Sequence, residues 1–213
     1  MSLLSRSIPI LAFALALSAQ DARAQDVRRS EDYRWSVGGQ AGAFIFRTPN
    51  QTRGAIPMAG GHMLIKARRG GLYLAVDQAF DTDQQSSYLD GGSPVSVTFD
   101  GVRRYTFGLM VFPVYGHMNP FFGLGGGIMH ATGVETLGGS SATAQEIGST
   151  GFGTFIAGLQ FRVSGLSAFG QYQVQTIPGY QQVGTAEGRL INGTVHSFAG
   201  GLRFSLGSSR ESW

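Results

Sequence analysis

The sequence predicts an all-β protein, an eight-stranded antiparallel up-and-down transmembrane β-barrel, from three observations. Eight segments alternate apolar and polar residues, which is the pattern of strands with two different faces. The connections between these segments are alternately long and short. The composition is rich in glycine, with 33 Gly among 213 residues, and only 14% of the residues are charged. This composition argues against a disordered, highly charged chain.

The eight segments define the strand order of the predicted barrel. They are residues 33–47, 56–67, 72–80, 102–113, 120–132, 154–163, 167–176 and 194–207. None of them carries the 3.6-residue period of an amphipathic helix. An even number of strands returns the last strand to the side of the first, which removes the open edges of the sheet.

The N-terminus has the organisation of a signal peptide. Arg6 supplies the positive region, residues 8–17 the short apolar region, and residues 22–24 an A-x-A cleavage site. The apolar run is shorter than the ~20 residues that cross a bilayer as a helix. No later stretch has 18 consecutive apolar residues, so the sequence excludes a helical membrane protein. The predicted organisation is a signal peptide (1–24), an N-terminal periplasmic segment (25–32), the barrel (33–207) and a C-terminal tail (208–213).

The connections predict which membrane the barrel occupies. The short ones are residues 68–71, 114–119 and 164–166, and the longest are 81–101, 133–153 and 177–193. An up-and-down barrel places all odd-numbered connections at one rim and all even-numbered connections at the other. Short turns at one rim and long loops at the other are typical of bacterial outer-membrane barrels.

The alternation assigns two faces to each strand. In the last strand Phe198, Leu202 and Phe204 share one face, and Ser197 and Arg203 share the other. Together with the export signal, the loop pattern places the apolar face on lipid and the Gln, Ser, Thr and Arg face in the lumen. Aromatic residues near the strand ends predict two interfacial girdles. The girdle at the short-turn rim would hold Trp35, Tyr73, Phe112, Phe121, Phe122, Phe161 and Phe204, and the other Phe46, Phe80 and Tyr105.

Three segments resemble the small eight-stranded outer-membrane barrels of the outer membrane protein A, outer membrane protein W and opacity-protein group. Residues 120–127 (PFFGLGGG) are similar to the Pro-aromatic-Gly strand of that group, and residues 169–173 (FGQYQ) and 197–206 to its last two strands. The resemblance implies residence in the bacterial outer membrane, contact with its lipids and insertion by the barrel assembly machinery. It also implies an aromatic assembly signal near the C-terminus, either Phe204 or Trp213.

Six charged side chains have the register of the inner face. They are Arg34, Lys66, Asp77, Arg104, Arg162 and Arg203. A buried charge is costly unless it is paired, so we expect Asp77 to pair with Arg104 on the next strand. The other four fall near the short-turn rim, where they are either solvated or form an anion-preferring mouth.

The sequence offers no constellation for catalysis, a cofactor or a metal. There is no Cys, which excludes disulfides, thiolate zinc sites and thiol nucleophiles. The four His lie on separate segments without metal-binding spacing. His130 with Ser140, Ser141 or Glu146 is the one conceivable Ser–His arrangement. Arg is scattered rather than clustered, which argues against nucleic acid. We therefore predict a protein that is not an enzyme.

The predicted function is a structural or surface-interaction role, in which the long outer loops 81–101, 133–153 and 177–193 contact ligands. One alternative is a narrow channel for small hydrophobic or anionic solutes. A further alternative is a soluble periplasmic binding barrel of calycin type.

Overall fold

The fold is described here from a computed structural model, which covers residues 32–210 except 53, 115, 116, 164, 178 and 180. The side chains of residues 32, 81–83 and 208–210 are also outside the description. The predicted signal peptide, nearly all of the predicted N-terminal segment and Trp213 therefore lie outside the described residues.

Eight long strands form a closed barrel, which confirms the predicted fold. They are β1 (Asp32–Arg47), β2 (Gly54–Ala67), β3 (Gly70–Asp90), β4 (Ser93–Val111), β5 (Met118–Thr132), β7 (Ser149–Val163), β8 (Leu166–Thr176) and β11 (Asn192–Arg210). Consecutive long strands pair antiparallel, and β11 returns to lie beside β1. The remaining elements are β6 (Glu135–Leu137), α1 (Ser141–Ile147), β9 (Gln181–Val183) and β10 (Ala186–Gly188).

The outer wall of the barrel is apolar, as the alternation predicts. Leu109 is 70% exposed and Leu124 68% exposed, while their strand neighbours Met110 and Gly123 are buried. A closed belt of such side chains would be unfavourable in water and favourable in lipid. Closure also pairs the backbone groups of every strand, because lipid offers them no hydrogen-bond partner. Within the described residues, no helix is long and apolar enough to cross a membrane.

The girdle prediction was wrong for four aromatic residues. Tyr73, Phe112 and Phe121 are fully buried in the lumen near the short-turn rim, and Phe46 is buried in the lumen near the long-loop rim. Tyr73, Phe121 and Phe46 lie at inward positions of their strands, and Phe112 follows the last residue of β4, so each fills the barrel instead of reaching the membrane interface. Trp35, Phe80, Tyr105, Phe122, Phe161 and Phe204 do lie exposed on the outer wall.

The outer connections are more ordered than the sequence predicts. Residues 81–101 are not an irregular loop: β3 continues to Asp90, β4 begins at Ser93, and Gly91 and Gly92 form the turn with positive φ angles of 55° and 85°. Positive φ at both turn positions is the conformation of a tight two-residue hairpin, which favours glycine. The connection 133–153 contains β6, α1 and the first residues of β7, and 177–193 contains β9, β10 and the start of β11.

These outer segments form a second, five-stranded antiparallel arrangement above the barrel, in the order β6–β4–β3–β10–β9. We call it the outer sheet. The outer ends of β3 and β4 pair from Gln84 with Phe99 to Asp90 with Ser93, and a register irregularity between Phe80 and Gln84 separates this pairing from the barrel wall. The outer sheet is therefore built on the same two strands that form the wall.

Candidate functional site

The lumen is the part of the molecule where charged and polar groups are concentrated, and it has three layers. An outer apolar cluster lies on the long-loop side, a polar network lies in the middle, and a cationic mouth lies at the short-turn rim. In this orientation the short-turn rim is the periplasmic one.

The centre of the polar network is an ion pair between β3 and β4. Asp77 and Arg104 are directly opposite in the register. Nη2 of Arg104 donates to Oδ2 of Asp77 at 2.6 Å, and Nε donates to the same oxygen at 3.2 Å. Both residues are at most 2% exposed. Two charges buried this deeply are tolerated because they neutralise each other at hydrogen-bond distance.

The network extends from this pair across the lumen. Nε2 of Gln40 donates to Oδ1 of Asp77 at 2.5 Å, and Nη1 of Arg104 donates to Oγ of Ser197 at 3.0 Å. Oε1 of Gln40 accepts from the Tyr73 hydroxyl at 3.2 Å and from Nε2 of Gln171 at 2.9 Å. These six residues come from five strands, β1, β3, β4, β8 and β11. The network therefore bridges the lumen from wall to wall.

The outer apolar cluster closes the lumen above the network. Its barrel members include Phe44, Ile56 and Met129, and its members from the outer segments include Phe99 and Leu190. All five are at most 3% exposed. Side chains from the outer sheet and the loops thus pack on the barrel interior, so the lumen is filled and not open at this end.

The cationic mouth is built around Arg203. Its side chain is 1% exposed and stacks on the Phe169 ring, with Cζ 3.9 Å from the ring centroid. Nε donates to Nε2 of His62 at 2.9 Å, and Nη1 donates to Oε1 of Gln160 at 3.0 Å. The atom Nη2 is buried and has no hydrogen-bond partner. Arg203 is therefore held by neutral groups, through hydrogen bonds and a cation–π contact.

The structure divides the six sequence-predicted charged residues into two groups. Asp77 and Arg104 form the ion pair of the network. The other four, Arg34, Lys66, Arg162 and Arg203, line one cavity of about 70 Å³ at the mouth. Lys66 also lies over the Phe112 ring, with Nζ 3.9 Å from its centroid.

Sequence reasoning missed the contacts of the four uncharged members of the network, Gln40, Tyr73, Gln171 and Ser197. Tyr73 lies four residues before Asp77 on the same strand, so the two-residue alternation places both side chains on the inward face. The contact between Gln171 and Gln40 joins residues 131 positions apart and depends on the closed barrel.

The Ser–His arrangement differs from the one considered from the sequence. Nδ1 of His130 lies 2.8 Å from Oγ of Ser149, the residue opposite it on β7. Oγ of Ser149 donates in turn to the backbone carbonyl of Gln145. Ser140 instead caps α1, where its Oγ accepts from the Thr143 backbone N–H. Among the described residues, no group of three His, Asp or Glu side chains could hold a metal.

Comparison with known proteins supports the fold. No protein-family model matches the chain, and no curated protein matches its sequence. Among solved structures, neisserial surface protein A aligns with a TM-score of 0.55 at 8% identity, over 80% of this chain and 96% of that one. Ail of Yersinia pestis gives 0.46 at 12% identity, over 84% of this chain and 100% of that one. The N-terminal β-barrel domain of Pseudomonas aeruginosa OprF aligns with a TM-score of 0.44 at 12% identity, over 80% of this chain and 97% of that one.

The closed wall of eight strands and the belt of exposed apolar side chains around it are the features that a membrane-spanning barrel requires. A soluble calycin-like barrel would turn its polar face outward, so that alternative is wrong. The chain has the fold of the small eight-stranded outer-membrane β-barrels, with the closed apolar wall that residence in the outer membrane requires.

Proposed function

We propose that this protein is a membrane-anchored surface-interaction protein, in which the barrel is the anchor and the outer sheet is the binding surface. The observation that carries the proposal is that the outer segments form an ordered sheet on top of a filled barrel. A channel requires a continuous open path, whereas this lumen is crossed by a polar network and packed by an apolar cluster.

The outer sheet presents exposed carboxylates and apolar side chains to the outside. Cross-strand partners point to the same side of a sheet, and Glu187 is paired with Leu89 and Glu135 with Thr98. Both glutamates are exposed. Leu137, on the edge strand β6, is 79% exposed. The outward face therefore combines carboxylates with isolated apolar side chains, and its edge strands among the described residues are β6 and β9.

The charge of the outer segments favours a basic partner. Residues 84–100, 133–148 and 181–193 contain Asp90, Asp100, Glu135, Glu146 and Glu187 but only one cation, Arg189. Carboxylates on an exposed sheet attract cationic groups and raise their association rate in a salt-dependent manner. We infer that the ligand presents Lys or Arg side chains to this surface.

The test uses the purified protein in uncharged maltoside micelles and a fluorescent oligolysine peptide. We expect binding that weakens with salt, and a several-fold loss in affinity for the variant Glu135→Gln/Glu187→Gln. A second variant replaces residues 84–99 with Asn-Gly and should lose binding altogether, because it removes the hairpin on which the outer sheet is built. Retained heat-modifiable migration on gels controls for an intact barrel. Unchanged binding by the truncated variant would rule the proposal out.

A further inference from the structure

The cavity at the periplasmic mouth concentrates positive charge. Arg34, Lys66, Arg162 and Arg203 line it, together with the hydroxyls of Ser167 and Ser205. None of the described side chains that line the cavity is acidic. Asp77, the acidic residue of the network, is already bound by Arg104.

Arg203 adds a second, independent observation. A guanidinium has five N–H donors, and burial of any of them without an acceptor is unfavourable. Nε and Nη1 have acceptors, but Nη2 has none although the residue is 99% buried. Arg203 lines the cavity, so this unmatched guanidinium lies next to the space in which an anion would be held.

The size of the cavity restricts the ligand. A volume of about 70 Å³ exceeds the ~10–15 Å³ that one water molecule needs. It accommodates a small polyatomic ion but no sugar, nucleotide or peptide. Guanidinium groups bind tetrahedral oxyanions through paired N–H···O bonds, and Ser hydroxyls add neutral donors.

We infer that the periplasmic mouth is a binding site for one tetrahedral oxyanion of the phosphate type. The anion accepts hydrogen bonds from Arg162, and its charge is balanced by the Arg side chains that share the cavity, Arg203 among them. The site lies inside the barrel at its periplasmic end, so the ion enters from the periplasm and not from the bilayer. This inference is independent of the surface-binding role, because the two sites lie at opposite ends of the barrel.

The experiment is a calorimetric titration of inorganic phosphate into the folded protein in maltoside micelles, with chloride at equal ionic strength as the reference. We expect saturable binding of one phosphate per chain and an increase in Tm that chloride does not reproduce. Nanodiscs of phosphatidylglycerol and of phosphatidylcholine distinguish the source of the phosphate group. If a lipid headgroup occupied the site, phosphatidylglycerol nanodiscs would block the titration, and the assignment to a free ion would be wrong.

Variants at the rim keep the test independent of folding. Arg162 is only half-buried, so Arg162→Gln should fold and bind phosphate at least about tenfold more weakly, the loss expected for a hydrogen bond to a charged group. Arg162→Lys keeps the charge but loses the paired N–H donors of the guanidinium. Its phosphate affinity should therefore lie between those of the wild type and of Arg162→Gln. The matched control is Arg68→Gln, which removes one charge from the same rim but does not line the cavity.

Two further results would overturn the inference. One is the absence of saturable phosphate binding to the wild-type protein. The other is an equal loss of affinity in Arg162→Gln and Arg68→Gln, which would mean that phosphate responds to the net charge of the rim and not to a site.

Discussion

The two ends of the lumen are closed by different chemistry. At the outer end, apolar side chains from the barrel and from the outer segments pack together, with Phe44, Phe99 and Leu190 almost fully buried. At the periplasmic end, cations surround a small cavity and are held by aromatic rings and neutral hydrogen-bond partners. The difference indicates that the outer end is built for a permanent seal, while the periplasmic end is built to meet a soluble anion.

The largest effect on stability is expected at the ion pair of the polar network, which lies between the outer and periplasmic ends of the lumen. Asp77→Asn leaves the buried Arg104 without its counter-charge and should lower the free energy of unfolding by about 3–5 kcal/mol. The double variant Asp77→Leu/Arg104→Met removes both charges and should recover much of that loss. Urea unfolding of the refolded protein in lipid vesicles measures the free energy of unfolding of the single and the double variant. If the double variant were as unstable as Asp77→Asn, the unpaired buried charge would not be the cause of the lost stability.

The outer apolar cluster should tolerate truncation less well than the lipid-facing wall. Met129→Ala creates a cavity in the cluster and should cost about 2–5 kcal/mol of unfolding free energy. Met118→Ala, on the same strand, removes the same side chain from a position that is 51% exposed, and should cost less than about 1 kcal/mol. Similar losses for the two variants in urea unfolding would contradict a packed seal at the outer end.

A smaller effect is expected at the tip of the outer sheet. Gly92 has a φ of 85°, and Gly92→Ala should destabilise the hairpin by about 1 kcal/mol, because a side chain is strained in that conformation. Hydrogen exchange of the amides in residues 84–99 should become faster while exchange in the barrel wall stays unchanged. Gly165→Ala is the control, since this periplasmic turn glycine has no positive φ and open space around its Cα. Faster exchange throughout the barrel would mean that sheet and barrel unfold as one unit.

Much of the barrel could be predicted from the sequence because its wall follows a strict two-residue alternation. The same register places Asp77 opposite Arg104. The outer sheet could not be predicted in this way. Its strands are rich in Gln, Ser and Thr, as in residues 84–87, and polar strands outside the membrane have the composition of loops. The Gly91–Gly92 pair between Tyr88 and Val95 was the available signal for a hairpin.

The site was less predictable than the wall. The register gives the direction of each charged side chain, but it does not show which ones share a cavity. The hydrogen bond between Arg203 and His62 joins residues 141 positions apart, from β11 and β2, with β1 between them. Such a contact depends on the curvature of the closed barrel. The aromatic residues Tyr73, Phe112 and Phe121 were predicted to lie in a membrane girdle because they are close to the ends of the predicted strands. The two-residue alternation nevertheless assigns them to the inward face.

Electrical recording of the purified full-length protein in planar lipid bilayers tests the central claim, that the lumen is sealed and the barrel is an anchor, most directly. We predict no stable conductance step above the background of the bilayer, with chloride or with phosphate as the anion. Insertion is verified in the same preparation by heat-modifiable migration. Reproducible, ohmic single-channel steps from wild-type protein would contradict the sealed lumen and favour the channel alternative.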